Sequence, residues 1–249
     1  MREGSYTSLY GRAYLFLKAQ GLAGKPVADI RIDGAGKKVT RSDNCRVSDL
    51  SVSSDNLTFT YEAKSLPYPI DTSYYDNEKH TQADALSVIP FMDEMNYEGL
   101  SVSGLSDGYY GLTIGGEFIG RFTARELERG INMTLLQNTP QYKQAMKIRQ
   151  MNEERWLKER KMREFYWVEY NLMRKTGMLW ACNEAAVDTL RKYRPHDIFL
   201  QWNGDLWLQY MHKGIREDCV NEQQDLVNRI YEQNKPIPLR IEIKKFTDL

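Results

Sequence analysis

Residues 109–144, YYGLTIGGEFIGRFTARELERGINMTLLQNTPQYKQ, hold the point at which the chain changes its structural period. Two short runs rich in Tyr, Leu, Thr, Ile and Phe flank Gly115 and Gly116, the signature of a β-hairpin closed by a two-residue turn. At Thr123 the character changes. Thr123 suits an N-cap, Glu126 three residues on completes a capping box, and Gly130 is placed to end the short helix. Thr139 then caps a second start, and Pro140 suits the first helical position, where its missing N–H costs nothing. From there to Arg174 no breaker intervenes, which predicts one helix of roughly nine turns.

Upstream, Leu9, Ala13, Phe16 and Leu17 fall at helical spacing with Arg12 and Lys18 between them, which predicts an amphipathic helix ended by GLAGKP at 21–26. The strand-like run VADIRID at 27–33 comes next, and GAG at 34–36 and SDN at 54–56 each separate further β-rich runs. Residues 64–84, KSLPYPIDTSYYDNEKHTQAD, carry two prolines and several turn formers without a period, and read as a long excursion over the surface.

Downstream, Glu154 precedes Lys158 by four residues and Glu159 precedes Arg163 by four, pairs that support a solvated helix face. Trp156, Phe165, Trp167 and Tyr170 lie on the same helix and do not share one seam, so other elements must cover it on more than one side. Gly177 is placed to end it. Helices are predicted across 183–193, 204–213 and 222–234, and the alternating PLRIEIKKF at 238–246 reads as a closing strand. The fold class is therefore α+β: an N-terminal helix, antiparallel β hairpins in a meander, then a mainly helical half with one long helix. The composition shifts suggest three regions, 1–26, 27–122 and 123–249.

With 249 residues, of which 41% are hydrophobic and 12% aromatic, the chain can bury a real core. Its 34 basic and 34 acidic residues balance, so no global field draws it to nucleic acid or an anionic membrane. Cys45, Cys182 and Cys219 are scattered singly, without the spacing of a disulfide framework or a cysteine-based zinc site. The first residues lack the apolar core of an export signal, and no apolar run reaches the roughly 18 residues of a membrane helix. A cytoplasmic location is the default expectation.

Several motifs invite a catalytic reading. Gly104 to Gly108, GLSDG, fits G-x-S-x-G, but a nucleophile elbow needs a helix after the serine and here a strand succeeds it, so an ordinary hairpin turn is expected. Two SDN triplets and KTG at 175–177 resemble elements of penicillin-recognising enzymes, yet no S-x-x-K occurs. His80 and His196 have carboxylates nearby in sequence, and His212 is the third histidine; none has a metal-ligand spacing. The glycines of IGGEFIG lie between strands, where they cannot cradle a phosphate at a helix N-terminus. No metal, cofactor or nucleic acid is expected.

Residues 100–156, LSVSGLSDGYYGLTIGGEFIGRFTARELERGINMTLLQNTPQYKQAMKIRQMNEERW, resemble the region after the catalytic histidine in bacterial SGNH (GDSL-type) esterases and acylhydrolases. AYLFLKAQGL at 13–22 is similar to the last helix of their catalytic domain, and WVEYNLM at 167–173 to the later part of their long helix. That resemblance implies a missing N-terminal catalytic part, since GDS occurs nowhere and residues 1–12 hold neither Asp nor His. No catalytic residue carries over. The chain then reads as a truncated, non-catalytic C-terminal portion of such an esterase, whose parent would hydrolyse carboxylic esters, carbohydrate esters included, and belong to a family often exported. Its partner would be the missing catalytic domain or a second copy of itself. The alternative is an autonomous glycan- or protein-binding module, with Tyr68, Tyr74 and Tyr75 of the long loop as the contact residues.

Overall fold

The computed structural model describes residues 6–70 and 82–246, with the side chains of 6–9 and 82 left aside. The chain divides into two units, one of residues 1–147 and 234–249 and one of residues 148–233. Its class is the α+β arrangement that the sequence pattern predicts.

The first unit opens with helix α1 (Tyr6–Ala19) and holds, among the described residues, nine strands: β1 (Ala28–Asp33), β2 (Lys38–Asp43), β3 (Cys45–Val52), β4 (Asn56–Ala63), β5 (Glu98–Ser103), β6 (Tyr109–Ile114), β7 (Glu117–Thr123), β8 (Ile131–Asn132) and β9 (Leu239–Lys245). They form a four-stranded sheet, β2-β1-β5-β8, and a five-stranded sheet, β3-β4-β9-β6-β7. The three turn signals each close an antiparallel pair, β1 with β2, β3 with β4 and β6 with β7. Two relations are not local: β1 runs parallel to β5, Ile30 opposite Leu100, and β9 lies antiparallel between β4 and β6. Inward residues of both sheets, among them Ile30, Phe59, Leu100, Leu112 and Ile241, meet in one core with Leu127 of helix α4 (Ala124–Arg129). Period-2 burial along β4 and β9 is what puts one face of each strand there.

Helix α4 starts as its sequence requires. Thr123 Oγ1 accepts from the Glu126 N–H while the Glu126 carboxylate accepts from the Thr123 N–H, and Gly130 ends the helix at φ 93°. Short helices α2 (Gln82–Ala85) and α3 (Phe91–Glu94) precede β5. The described start of the 64–84 stretch is no surface excursion: Pro67, Pro69 and Ile70 are buried. Asn96 makes this possible, its side-chain amide accepting from Tyr68 N–H at 2.8 Å and donating to Tyr68 O at 2.9 Å, while the Tyr142 hydroxyl donates to Ile70 O at 2.6 Å. Side chains here satisfy backbone groups that a solvated loop would leave to water. In α1 the buried group is Tyr14, whose hydroxyl donates to Glu94, and Phe16, expected to face inward, is 64% exposed.

The second unit is helical. Helix α5 (Pro140–Val168), whose residues to 147 belong to the first unit, begins under Thr139 and is succeeded by a π-helical turn, Glu169–Met173, then α6 (Glu184–Tyr193), a 3₁₀ turn at Arg194–His196, α7 (Ile198–Tyr210) and α8 (Lys213–Gln233). The uninterrupted α-helix expected to Arg174 thus changes its winding at Glu169, where the Arg174 N–H donates to Glu169 O at 2.7 Å, five residues back. The core is built from Phe165, Val168, Leu172, Leu190, Leu200, Trp207 and neighbours. Arg163 meets Glu159 as its spacing predicts, at 3.8 Å, but Lys158 pairs with Glu222 of α8 at 2.6 Å instead of Glu154. An acceptor on a packed neighbouring helix outcompetes the one along the same helix. Helix α7 begins at Ile198, six residues before the predicted 204, because Asp197 Oδ1 caps it by accepting from the N–H groups of Phe199 and Leu200.

Candidate functional site

The π-helical turn has a visible cause. Glu169 is buried, and its two carboxylate oxygens accept from the Trp207 indole N–H at 2.8 Å and from the Trp180 backbone N–H, also at 2.8 Å. Holding one carboxylate against two neutral donors fixes the turn, and one extra residue per turn re-aims the side chains beyond it. On that downstream side, Asn171, Leu172, Lys175 and Thr176 face Tyr193, His196, Asp197 and Leu200 around a cavity of about 370 Å³ that Trp167 also lines. Trp167 packs on Phe199 with ring centroids 5.2 Å apart. Asn171 donates to Trp167 O at 2.9 Å and Thr176 to Leu172 O at 3.0 Å, so both side chains are turned back onto their own helix.

Beside Tyr193 in the chain, the Arg194 guanidinium grips Asp205 with two hydrogen bonds of 2.7 Å. Arg194 packs closely over Gly204, where a Cβ would come within 3.1 Å of its Nε. The cavity joins aromatic faces to polar groups at its rim, a lining suited to a small organic ligand.

His196 and Asp197 both line this cavity, and Asp197 Oδ1 is engaged by the α7 N-terminus. His212 lies elsewhere, with Nδ1 3.3 Å from Cys182 Sγ, and His80 is outside the described residues. Of the three tyrosines read as contacts, Tyr74 and Tyr75 are likewise outside the described residues. Tyr68 is half-exposed, stacks edge-on against Phe91 at 5.5 Å and lines an apolar cavity of about 230 Å³ with Tyr14, Leu17, Ile70, Leu86 and Ile89.

Ser106 of the GLSDG stretch sits on the connection between β5 and β6, with Gly104 and Gly108 at positive φ; the hairpin expected there is not formed, because the two strands belong to different sheets. The sequence does not announce its neighbours: Lys245 donates to Ser106 Oγ at 2.7 Å, and the Tyr110 hydroxyl, 3.1 Å from Oγ, donates to Ser106 O at 2.9 Å. With Lys245 donating to its hydroxyl and Tyr110 to its carbonyl, Ser106 serves as a turn fastening. Among the described residues, no group of three or more His, Cys, Asp and Glu could hold a metal, and no helix is long and apolar enough to cross a membrane.

Residues 146–235, which hold this cavity, match the family model of the diltiazem deacetylase C-terminal helical domain. A solved structure of a gut microbial diltiazem-metabolizing enzyme superposes with a TM-score of 0.90 at 36% identity, over 98% of this chain and 55% of that one. The chain is related to a diltiazem-metabolizing enzyme. It is therefore a hydrolase-related chain, spanning about half the length of the structure it matches. No curated protein matches.

These findings correct the resemblance to SGNH (GDSL-type) esterases read from residues 100–156: the matching family and structure are those of the diltiazem enzymes. The residues that carried that resemblance explain the error. The Gly115–Gly116 turn, the Thr123–Glu126 box and Pro140 build a hairpin, a capped helix and a helix start, and any chain making those transitions selects them.

Proposed function

We propose that this chain is the non-catalytic part of a deacetylase-like ester hydrolase, and that the cavity beside the π-helical turn receives the aromatic portion of its substrate. The observation that carries the reading is the overlap of nearly the whole chain with 55% of the chain of a diltiazem-metabolizing enzyme. The setting of Ser106 supports it, because among the described residues the partners of its hydroxyl are Lys245, which donates to it, and Tyr110, with no histidine backed by a carboxylate. The lining of Trp167, Tyr193 and Leu200 supports an aromatic ligand.

Two measurements test it. The purified chain should not turn over an aryl acetate or diltiazem, and Ser106→Ala should change nothing; turnover abolished by Ser106→Ala refutes the non-catalytic reading. All five tryptophans lie in residues 148–233, so their fluorescence reports on the unit holding the cavity. Titration with diltiazem should give a saturable change that Tyr193→Ala weakens at least about tenfold. An unchanged titration removes the cavity from the proposal.

The second reading, an autonomous binding module, draws on Tyr68 and its apolar cavity. It predicts saturable binding to a glycan array, lost in Tyr68→Ala, without any dependence on Tyr193.

A further inference from the structure

The three cysteines stand in different surroundings. Cys45 and Cys219 are buried, and burial pushes the Cys45 thiol up to about 11. Cys219 donates to Lys158 O across 3.7 Å inside the helical core. Cys182 is exposed, and its Sγ lies 3.3 Å from His212 Nδ1.

Thirty positions apart in sequence, the two groups are held together by fastenings on either side. On the cysteine side, Trp180 N–H is tied to Glu169, and the Asn183 side chain accepts from Ala186 N–H at 3.0 Å to start α6 directly after Cys182. On the histidine side, Arg216 donates to Tyr210 O at 2.6 Å and to Met211 O at 2.7 Å, fixing the corner between α7 and α8 on which His212 stands. Neither group is needed by the core, and neither takes part in the cavity at Trp167.

We propose that Cys182 and His212 form a reactive thiol–imidazole pair, a modification site for low-molecular-weight disulfides and soft electrophiles. Nδ1 faces Sγ, and in the tautomer that carries the ring proton on Nε2 it accepts the Sγ proton. The thiolate attacks one sulfur of a disulfide; a Cys182–S bond forms, the disulfide S–S bond breaks, and the departing thiolate takes up a proton from the imidazolium or from water. The product is a mixed disulfide at the surface, reversed by excess thiol through the same steps. With an alkylating reagent, the thiolate displaces halide and the product is a stable thioether.

The experiment measures modification of the folded full chain at neutral pH with oxidised glutathione and with iodoacetamide, read out by intact-mass spectrometry and peptide mapping. Wild-type chain should gain one adduct rapidly, mapped to Cys182, and Cys182→Ser should gain none on that timescale. His212→Gln, which preserves size and polarity, should slow the reaction at least about fivefold with an unchanged melting curve. The rate in the folded chain should also exceed that of the same cysteine in urea-unfolded chain corrected for the denaturant, a comparison needing no variant. Equal rates in wild type and His212→Gln, a folded rate no higher than the unfolded one, or a rapid adduct on Cys45 or Cys219 would each overturn the proposal.

Discussion

Replacing Glu98 by Gln should make the protein more stable, and by more at high pH than at low. Glu98 begins β5 and is fully buried, accepting from the Tyr61 hydroxyl at 2.7 Å and, weakly, from Gln141 Nε2 at 3.3 Å on both oxygens. Burial raises its carboxyl from 4.5 to about 7, against the opposing pull of those two hydrogen bonds. A group with a folded pKa above its unfolded value holds its proton longer in the fold. Its contribution is therefore intact below about 4.5 and lost as pH rises through about 7. At about 1.4 kcal/mol for each tenfold change in proton affinity, the whole loss approaches ~3 kcal/mol, and most of it falls between pH 5 and pH 8.

Gln at 98 carries no charge to desolvate and keeps an oxygen for Tyr61. Gln141 can meet it by turning its amide, because Gln141 Oε1 is buried without a partner and would accept from the new NH₂. Far-UV melts at pH 5 and pH 8, with tryptophan fluorescence followed in parallel to mark the transition of the helical unit, should show the advantage of Glu98→Gln growing by ~2 kcal/mol. That corresponds to roughly 4–8 °C. A variant less stable than wild type by the same margin at both pH values would refute the reasoning, since it would mean the carboxylate is welcome where it lies.

The same contacts lead to further expected outcomes. Glu169→Ala should cost about 3 kcal/mol in the melt monitored by tryptophan fluorescence, because it strands the Trp207 N–H in the core; Glu169→Gln should cost less, keeping one acceptor. Thr123→Ala removes the α4 capping box and should lower stability by about 1 kcal/mol in urea unfolding, with the m-value unchanged. Lys158→Met breaks the exposed ion pair to Glu222 and should change stability by less than about 1 kcal/mol, with any effect shrinking in 1 M salt.

The features legible in the sequence are those that neighbours along the chain decide. Gly115–Gly116, the Thr123 box, Gly130 and Thr139–Pro140 all act within one turn of themselves, and the structure has each where the spacing puts it. Pairings set by distant residues are not disclosed. Nothing local tells Lys158 to prefer Glu222 to Glu154, or brings Lys245 to Ser106, or tells Asn96 to stand in for a strand beside Tyr68. The candidate cavity is hidden for the same reason. Its shape depends on a winding change at Glu169 whose cause, Trp207, lies 38 residues away, and the alternation of charge and aromatic groups in α5 shows no trace of it. His196 is visible as a histidine beside a carboxylate, but the spacing does not say that Asp197 is occupied as a helix cap.

The position of β9 governs the order in which this protein can be made. Asn56 of β4 faces Lys244, and β6 closes on the other flank of the same strand, so the five-stranded sheet has a gap in its middle until residues 239–245 leave the ribosome. Every hairpin before it can form early; the β core cannot. Residues 148–233 are meanwhile threaded into that interval as an insertion, and Gln144 Nε2 reaching Lys235 O at 2.8 Å marks where the chain departs from the β unit and returns to it. The helical unit has local contacts and can mature first, leaving an open sheet with two unpaired inner edges to be protected until β9 arrives. The β core of this protein is therefore completed by a strand made long after the strands it joins.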